Sequence, residues 1–227
     1  MRFIAVSLLC LITLVPILAQ DSVDVTFRYT IAGKTGVSLV GEFNGWNNAL
    51  WPMTNIGSNT YTRTARLRIG GNPSPVIPGA WQYKFYYSGA SPWPNDPLDH
   101  HINQGDNGNS YIITKDPTIY QLLPNQNNPV VNTSFPTITA NIFPKVGSTV
   151  DTSSLAVSID GTLYPGLGTQ YNFTTSQFAY TPLTPLANGS HTVILHAGTN
   201  ADTVTFTTHG GYVQIQNEFP FTTWKNT

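Results

Sequence analysis

The chain of 227 residues holds only 10 Lys or Arg and 11 Asp or Glu, so 9% of it is charged, against about 25% in an ordinary soluble domain. A formal net charge of −1 leaves no basic surface for nucleic acid or an anionic membrane. Its two Glu, Glu42 and Glu218, offer little material for acid–base catalysis. Counts of 30 Thr, 20 Asn, 19 Gly and 17 Pro displace the strong helix formers and indicate an all-β protein.

Met1-Arg2 opens the chain and is followed by an apolar run to Ala19, with no further charge until Asp21. One positive residue, a hydrophobic stretch and a small residue at its end describe a secretory signal peptide over 1–19. The run contains Pro16 and is short for a membrane span. The expected location is therefore secreted, periplasmic or at the cell surface, with no membrane attachment after cleavage. Cys10 is the single cysteine and lies in this segment. The mature chain then has no disulfide framework, thiolate metal site or cysteine nucleophile.

From Val23 to Ile31 apolar and polar residues alternate strictly, the period of a half-buried strand. Gly33-Lys34-Thr35-Gly36 turns the chain into the apolar run Val37 to Val40. Residues 60–69 alternate again. Over Ala80 to Ser88, Trp81, Tyr83, Phe85 and Tyr87 share one side and Gln82, Lys84 and Tyr86 the other. Tyr111 to Thr114 closes a β-sandwich within 20–115. Residues 116–136 mix Pro and Asn with some apolar material and read as a linker that partly packs between two domains.

Short β-patterned runs follow at Ile138 to Phe143, Leu155 to Ile159, Phe178 to Tyr180, His191 to His196 and Thr203 to Thr207. The Asp160-Gly161 and Asn188-Gly189 pairs between them are hairpin signals. A second sandwich over 137–208 fits, with 209–227 as a tail or the start of a further domain. The expected fold is thus all-β, two immunoglobulin-like (early-set) β-sandwiches in tandem after the signal peptide.

The most informative segment is VSLVGEFNGW, Val37 to Trp46, where a buried strand runs into a loop that ends on a Trp. PGAWQYKFYYSG (78–89), PWPNDP (92–97) and DNGNSYIIT (106–114) follow in order. This succession resembles the glycogen- and starch-binding modules of carbohydrate-binding module family 48 and the related N-terminal domains of the α-amylase glycoside hydrolase superfamily. The resemblance implies an α-glucan or maltodextrin partner. It also implies Trp46 as a stacking residue, Lys84 and Asn109 as sugar contacts, and Trp93 as a second stacking Trp, two residues later than the family spacing. The chemistry agrees, because a glucose ring stacks its C–H face on an indole while its hydroxyls need polar partners. Three of these residues also have a structural alternative, since Trp46 could cap the core, Lys84 could be a solvated strand residue and Trp93 could pack on the neighbouring domain.

No catalytic residue, cofactor or metal site is expected. His100 and His101 stand beside Asp96 and Asp99, but adjacent loop histidines ordinarily point in different directions, against chelation. The stretch SIDG (158–161) with YTPLTPLANGSHTVILHAG (180–198) resembles immunoglobulin-like spacer domains of secreted bacterial enzymes and adhesins. An α-amylase-type barrel needs about 250 residues of alternating strand and helix, which this chain does not contain. The expected function is therefore non-catalytic glucan binding and domain positioning, as the N-terminal part of an exported α-amylase-type hydrolase whose C-terminal barrel lies beyond this sequence. The alternatives are a free-standing secreted glucan-binding protein and a structural or adhesive tandem sandwich without sugar binding.

Overall fold

The computed structural model describes residues 21–210. The expected signal peptide and residues 211–227 lie outside them. Among the described residues there is no α-helix. The first eight strands are β1 (Ser22–Thr30), β2 (Ser38–Gly41), β3 (Thr54–Gly57), β4 (Thr60–Arg68), β5 (Ala80–Tyr86), β6 (Ile102–Asn103), β7 (Asn109–Ile113) and β8 (Thr118–Leu123). The second eight are β9 (Val130–Val131), β10 (Ile138–Phe143), β11 (Ala156–Ile159), β12 (Thr162–Tyr164), β13 (Tyr171–Asn172), β14 (Gln177–Tyr180), β15 (Gly189–Ala197) and β16 (Asn200–Thr208). They form four sheets, in the orders β1-β4-β3, β2-β5-β7-β6, β13-β14-β10-β8 and β12-β11-β15-β16-β9.

Alternation explains the longest pairing. In β1, Val23, Val25, Phe27 and Tyr29 are buried. The polar set faces out, where Thr26 bonds Thr64 and Asp24 pairs with Arg66 across the ladder to β4. The first two sheets enclose one core, with Phe27, Leu67, Leu39, Tyr83 and Phe85 at its centre. Burying each such side chain contributes about 1.5–3 kcal/mol, and Phe27 meets Tyr83 edge-on at 4.8 Å. The other two sheets enclose a second core around Ile138, Ile142, Val157, Phe178, Val193 and Phe206. Tyr120 of β8 and Phe143 of β10 reach from the later sheets into the first core, and Asn200 Nδ2 donates to Pro117 O at 2.9 Å. The two cores therefore adjoin.

Two sequence expectations are revised. Residues 116–136, read as a linker, contain β8, which pairs with β10 and is buried on both faces over Thr118–Leu122. A strand covered on both sides shows no alternation, and Pro117 and Pro124 at its ends read as linker chemistry. Asp160-Gly161 does make the β11–β12 hairpin, both residues at positive φ. Asn188-Gly189 does not make one. Pro182 and Pro185 lie between β14 and β15 and have no N–H to give a ladder, and the chain there crosses from one sheet to another. The tight hairpin sits later, between β15 and β16, where Ala197 pairs with Asn200 and Gly198 is left-handed.

Candidate binding cleft

The cleft begins where β2 ends. Gly41 pairs with Tyr83 of β5, and beyond it the Glu42 carboxylate takes over as partner. Gln82 donates its backbone N–H to Glu42 Oε2 at 3.0 Å and its side-chain amide to Oε1 at 3.2 Å. Only glycine fits at 41, because a Cβ there would lie 2.5 Å from Gln82 O and 2.7 Å from Phe43 Cζ. Asn44 then folds the loop back on itself. Its Oδ1 accepts from Gly41 N at 3.0 Å, and its Nδ2 donates to Leu39 O at 3.0 Å.

Phe43 turns inward and stacks on Trp51 at 4.8 Å and 10°. Gly45 and Trp46 both adopt left-handed backbone, φ 63° and 59°. For a bulky residue this costs on the order of 1–3 kcal/mol. It is held by the Trp46 N–H, which donates to Gly41 O at 2.9 Å. The result is a half-buried Trp46 outside the first core.

Strand β5 supplies the floor. Tyr83 and Phe85 face the core, so Gln82, Lys84 and Tyr86 face the other way. Residues 87–109 fold over that side and leave Gln82 and Lys84 buried. The fold is pinned where Phe85 N–H donates to Pro94 O at 2.9 Å. Trp93 meets Tyr86 edge-on at 5.6 Å. Lys84 Nζ donates to Asn107 O at 2.9 Å. Burial pulls the Lys84 ammonium below its ordinary pKa, and the nearby Asp106 carboxylate partly offsets that.

Beneath them lies a bonded amide layer. Gln82 Nε2 donates to Asp106 Oδ2 at 3.1 Å, and Gln82 Oε1 accepts from Asn103 Nδ2 at 3.1 Å and Asn109 Nδ2 at 3.3 Å. The four residues expected from sequence, Trp46, Lys84, Trp93 and Asn109, line one cleft of about 400 Å³ together with Pro92, Asp106 and Asn107. Sequence reasoning passed over Gln82, Glu42 and Asp106. Gln82 was readable, because alternation puts it on the same face as Lys84.

The loop forming the far wall is anchored by Asp96. This buried carboxylate accepts from the hydroxyls of Tyr83 and Tyr120, from Gln121 Nε2 and from Leu98 N. Burial, and next the Asp99 carboxylate, push its pKa up to about 6. His100 and His101 do not point apart as expected. Their rings lie 3.9 Å apart between Asp99 and Asp202. Burial pulls the pKa of His101 down, but the two carboxylates outweigh it and raise it to about 10.

No family model matches the chain, and no curated protein matches it. Among solved structures it is similar to domains 4 and 5 of the S-layer protein SbsC, with 12% identity over 80% of this chain and 78% of that one, at a TM-score of 0.24. At that score the likeness says nothing about function.

Proposed function

We propose that this protein is a non-catalytic α-glucan-binding unit that also positions neighbouring domains. The observation that carries the reading is the meeting of Trp46, Lys84, Trp93 and Asn109, from four separate stretches of chain, at one cleft of about 400 Å³. Two indoles suit the apolar faces of glucose rings, and amide, ammonium and carboxylate groups suit the hydroxyl rim. One Lys and one Asp at the cleft leave it close to neutral, as an uncharged polyol prefers. The enclosure of each core by two sheets supports reading the fold as two immunoglobulin-like sandwiches in tandem. The apolar segment 1–19 supports export, and the order of the family-48-like motifs supports a place ahead of an α-amylase-type barrel.

Sedimentation with insoluble starch tests the binding. The full chain should co-sediment, with an affinity of roughly micromolar to millimolar because few groups contact a hydrated ligand. Trp46→Ala should stay in the supernatant. Wild type in the supernatant, or equal sedimentation of both, refutes the reading.

A further inference from the structure

Three groups in the loop between β5 and β6 take no part in the cleft. Asp99, His100 and His101 each offer one ligand atom, and these atoms all lie within 4.8 Å of one another. Asp99 Oδ1 is 2.9 Å from His101 Nδ1 and 3.9 Å from His100 Nδ1. Atoms that share one ion at about 2.0–2.2 Å lie roughly 3–4 Å from each other. Both distances to Asp99 Oδ1 fall close to that range.

The rings are oriented from behind by a residue a hundred positions away. Asp202 on β16 places Oδ1 3.1 Å from His100 Nε2 and 3.5 Å from His101 Nε2. When His100 donates its Nε2–H to Asp202, the neutral ring carries its lone pair on Nδ1. That Nδ1 is buried and has no partner, on a side chain 8% exposed. Asp202 Oδ2 is likewise buried without a partner. A buried acceptor left unbonded lowers stability unless something occupies it. Asp99 is held firmly too. The His101 backbone N–H donates to its Oδ1 at 3.1 Å, and its Oδ2 lies 2.9 Å from the Tyr83 hydroxyl, whose single proton it shares with Asp96.

We propose that His100 Nδ1, His101 Nδ1 and Asp99 Oδ1 bind a first-row divalent transition ion of the zinc class, the ion displacing the proton that His101 Nδ1 now shares with Asp99 Oδ1, with Asp202 as the carboxylate that faces both rings. Two imidazoles and one carboxylate suit zinc or cobalt, whereas calcium takes six to eight oxygens. A histidine ligand whose other nitrogen donates to a carboxylate is the usual support of such sites. The three ligands come from the loop that carries Trp93, and Asp202 comes from β16 beside the second core. The ion therefore acts as a clasp between the two cores, separate from the cleft.

The test uses the full chain without an affinity tag, stripped with a chelator and titrated with Co²⁺ and then Zn²⁺. One equivalent of Co²⁺ should give visible ligand-field absorption, which Zn²⁺ displaces. In ¹⁵N spectra of the wild-type imidazoles, Zn²⁺ should shift Nδ1 of both histidines and leave Nε2 protonated. His100→Gln should abolish the cobalt spectrum, and Asp202→Asn, which removes no ligand, should weaken Zn²⁺ binding roughly 10- to 100-fold. Absence of stoichiometric binding, a shift at Nε2 in place of Nδ1, or wild-type affinity in His100→Gln overturns the proposal. Should that variant fail to fold, the wild-type nitrogen spectrum decides alone.

Discussion

Replacing Asn44 by alanine isolates what holds Trp46 in place, because Asn44 does not line the cleft and acts only through the loop. The change removes the acceptor of Gly41 N–H and the donor to Leu39 O, both bonds being 3.0 Å long and reaching backbone groups of buried residues. The third bond, to Asn47 O at 3.3 Å, is exposed and adds little. An orphaned buried backbone group costs about 1–3 kcal/mol. Both bonds are only part-buried, so the low end applies and the expected loss is about 2–3 kcal/mol for the pair. Asn44→Asp keeps the acceptor and loses the donor, so it should give up about half of that. Urea unfolding followed by tryptophan fluorescence measures both, and the alanine variant should lower the midpoint without changing the slope. A loss below about 0.5 kcal/mol, or equal losses in the two variants, would show that Asn44 does not close the loop.

Further consequences can be checked in the same way. Gly41→Ala places a Cβ 2.5 Å from the Gln82 carbonyl. Because φ is 178° the strain is steric and not conformational, so a thermal melt should show about 1–3 kcal/mol of destabilisation, and an unchanged melting temperature contradicts it. Lys84→Met keeps the buried stem but loses the cation and its bond to Asn107 O; titration with maltohexaose should show weaker binding at little change in stability, and undiminished affinity would remove Lys84 from the site.

Asp160 gives a pH test. It accepts from His191 Nδ1 at 2.6 Å and from Thr192 N at 2.9 Å. Burial raises its pKa, but these bonds outweigh that and hold it below the ordinary 3.8. A carboxyl depressed by folding contributes its full stability above the unfolded value and loses it as pH falls through the folded one. Asp160 is half exposed, so the contribution is below about 1 kcal/mol. Asp160→Asn should flatten the acid limb of stability below pH 4 in urea titrations, and an unaltered limb rejects the linkage.

Alternation made β1 and β4 readable, because each buries one face against a core and leaves the other nearer solvent. It could not reveal β8, where neither face meets solvent and the flanking prolines looked like linker. Trp46, Lys84, Trp93 and Asn109 were legible as a set because the order of motifs places them. The floor under them was not, since Glu42 reaches Gln82 across 40 positions and only the end of β2 at Gly41 frees that backbone amide. The paired histidines were misjudged for a related reason. Neighbours in a loop diverge by default, and what holds these two together is Asp202, which no local rule connects to them.

The central claim is that the cleft binds an α-glucan through its two indoles. Calorimetric titration of the full chain with maltoheptaose, beside Trp46→Ala and Trp93→Ala variants shown to be folded, measures this directly. The expected result is saturable binding at a single site, in the range of roughly micromolar to millimolar. Each alanine variant should bind at least about tenfold more weakly, through loss of the stacking face and its buried area. Heats that never saturate, or both variants binding as tightly as wild type, would contradict it.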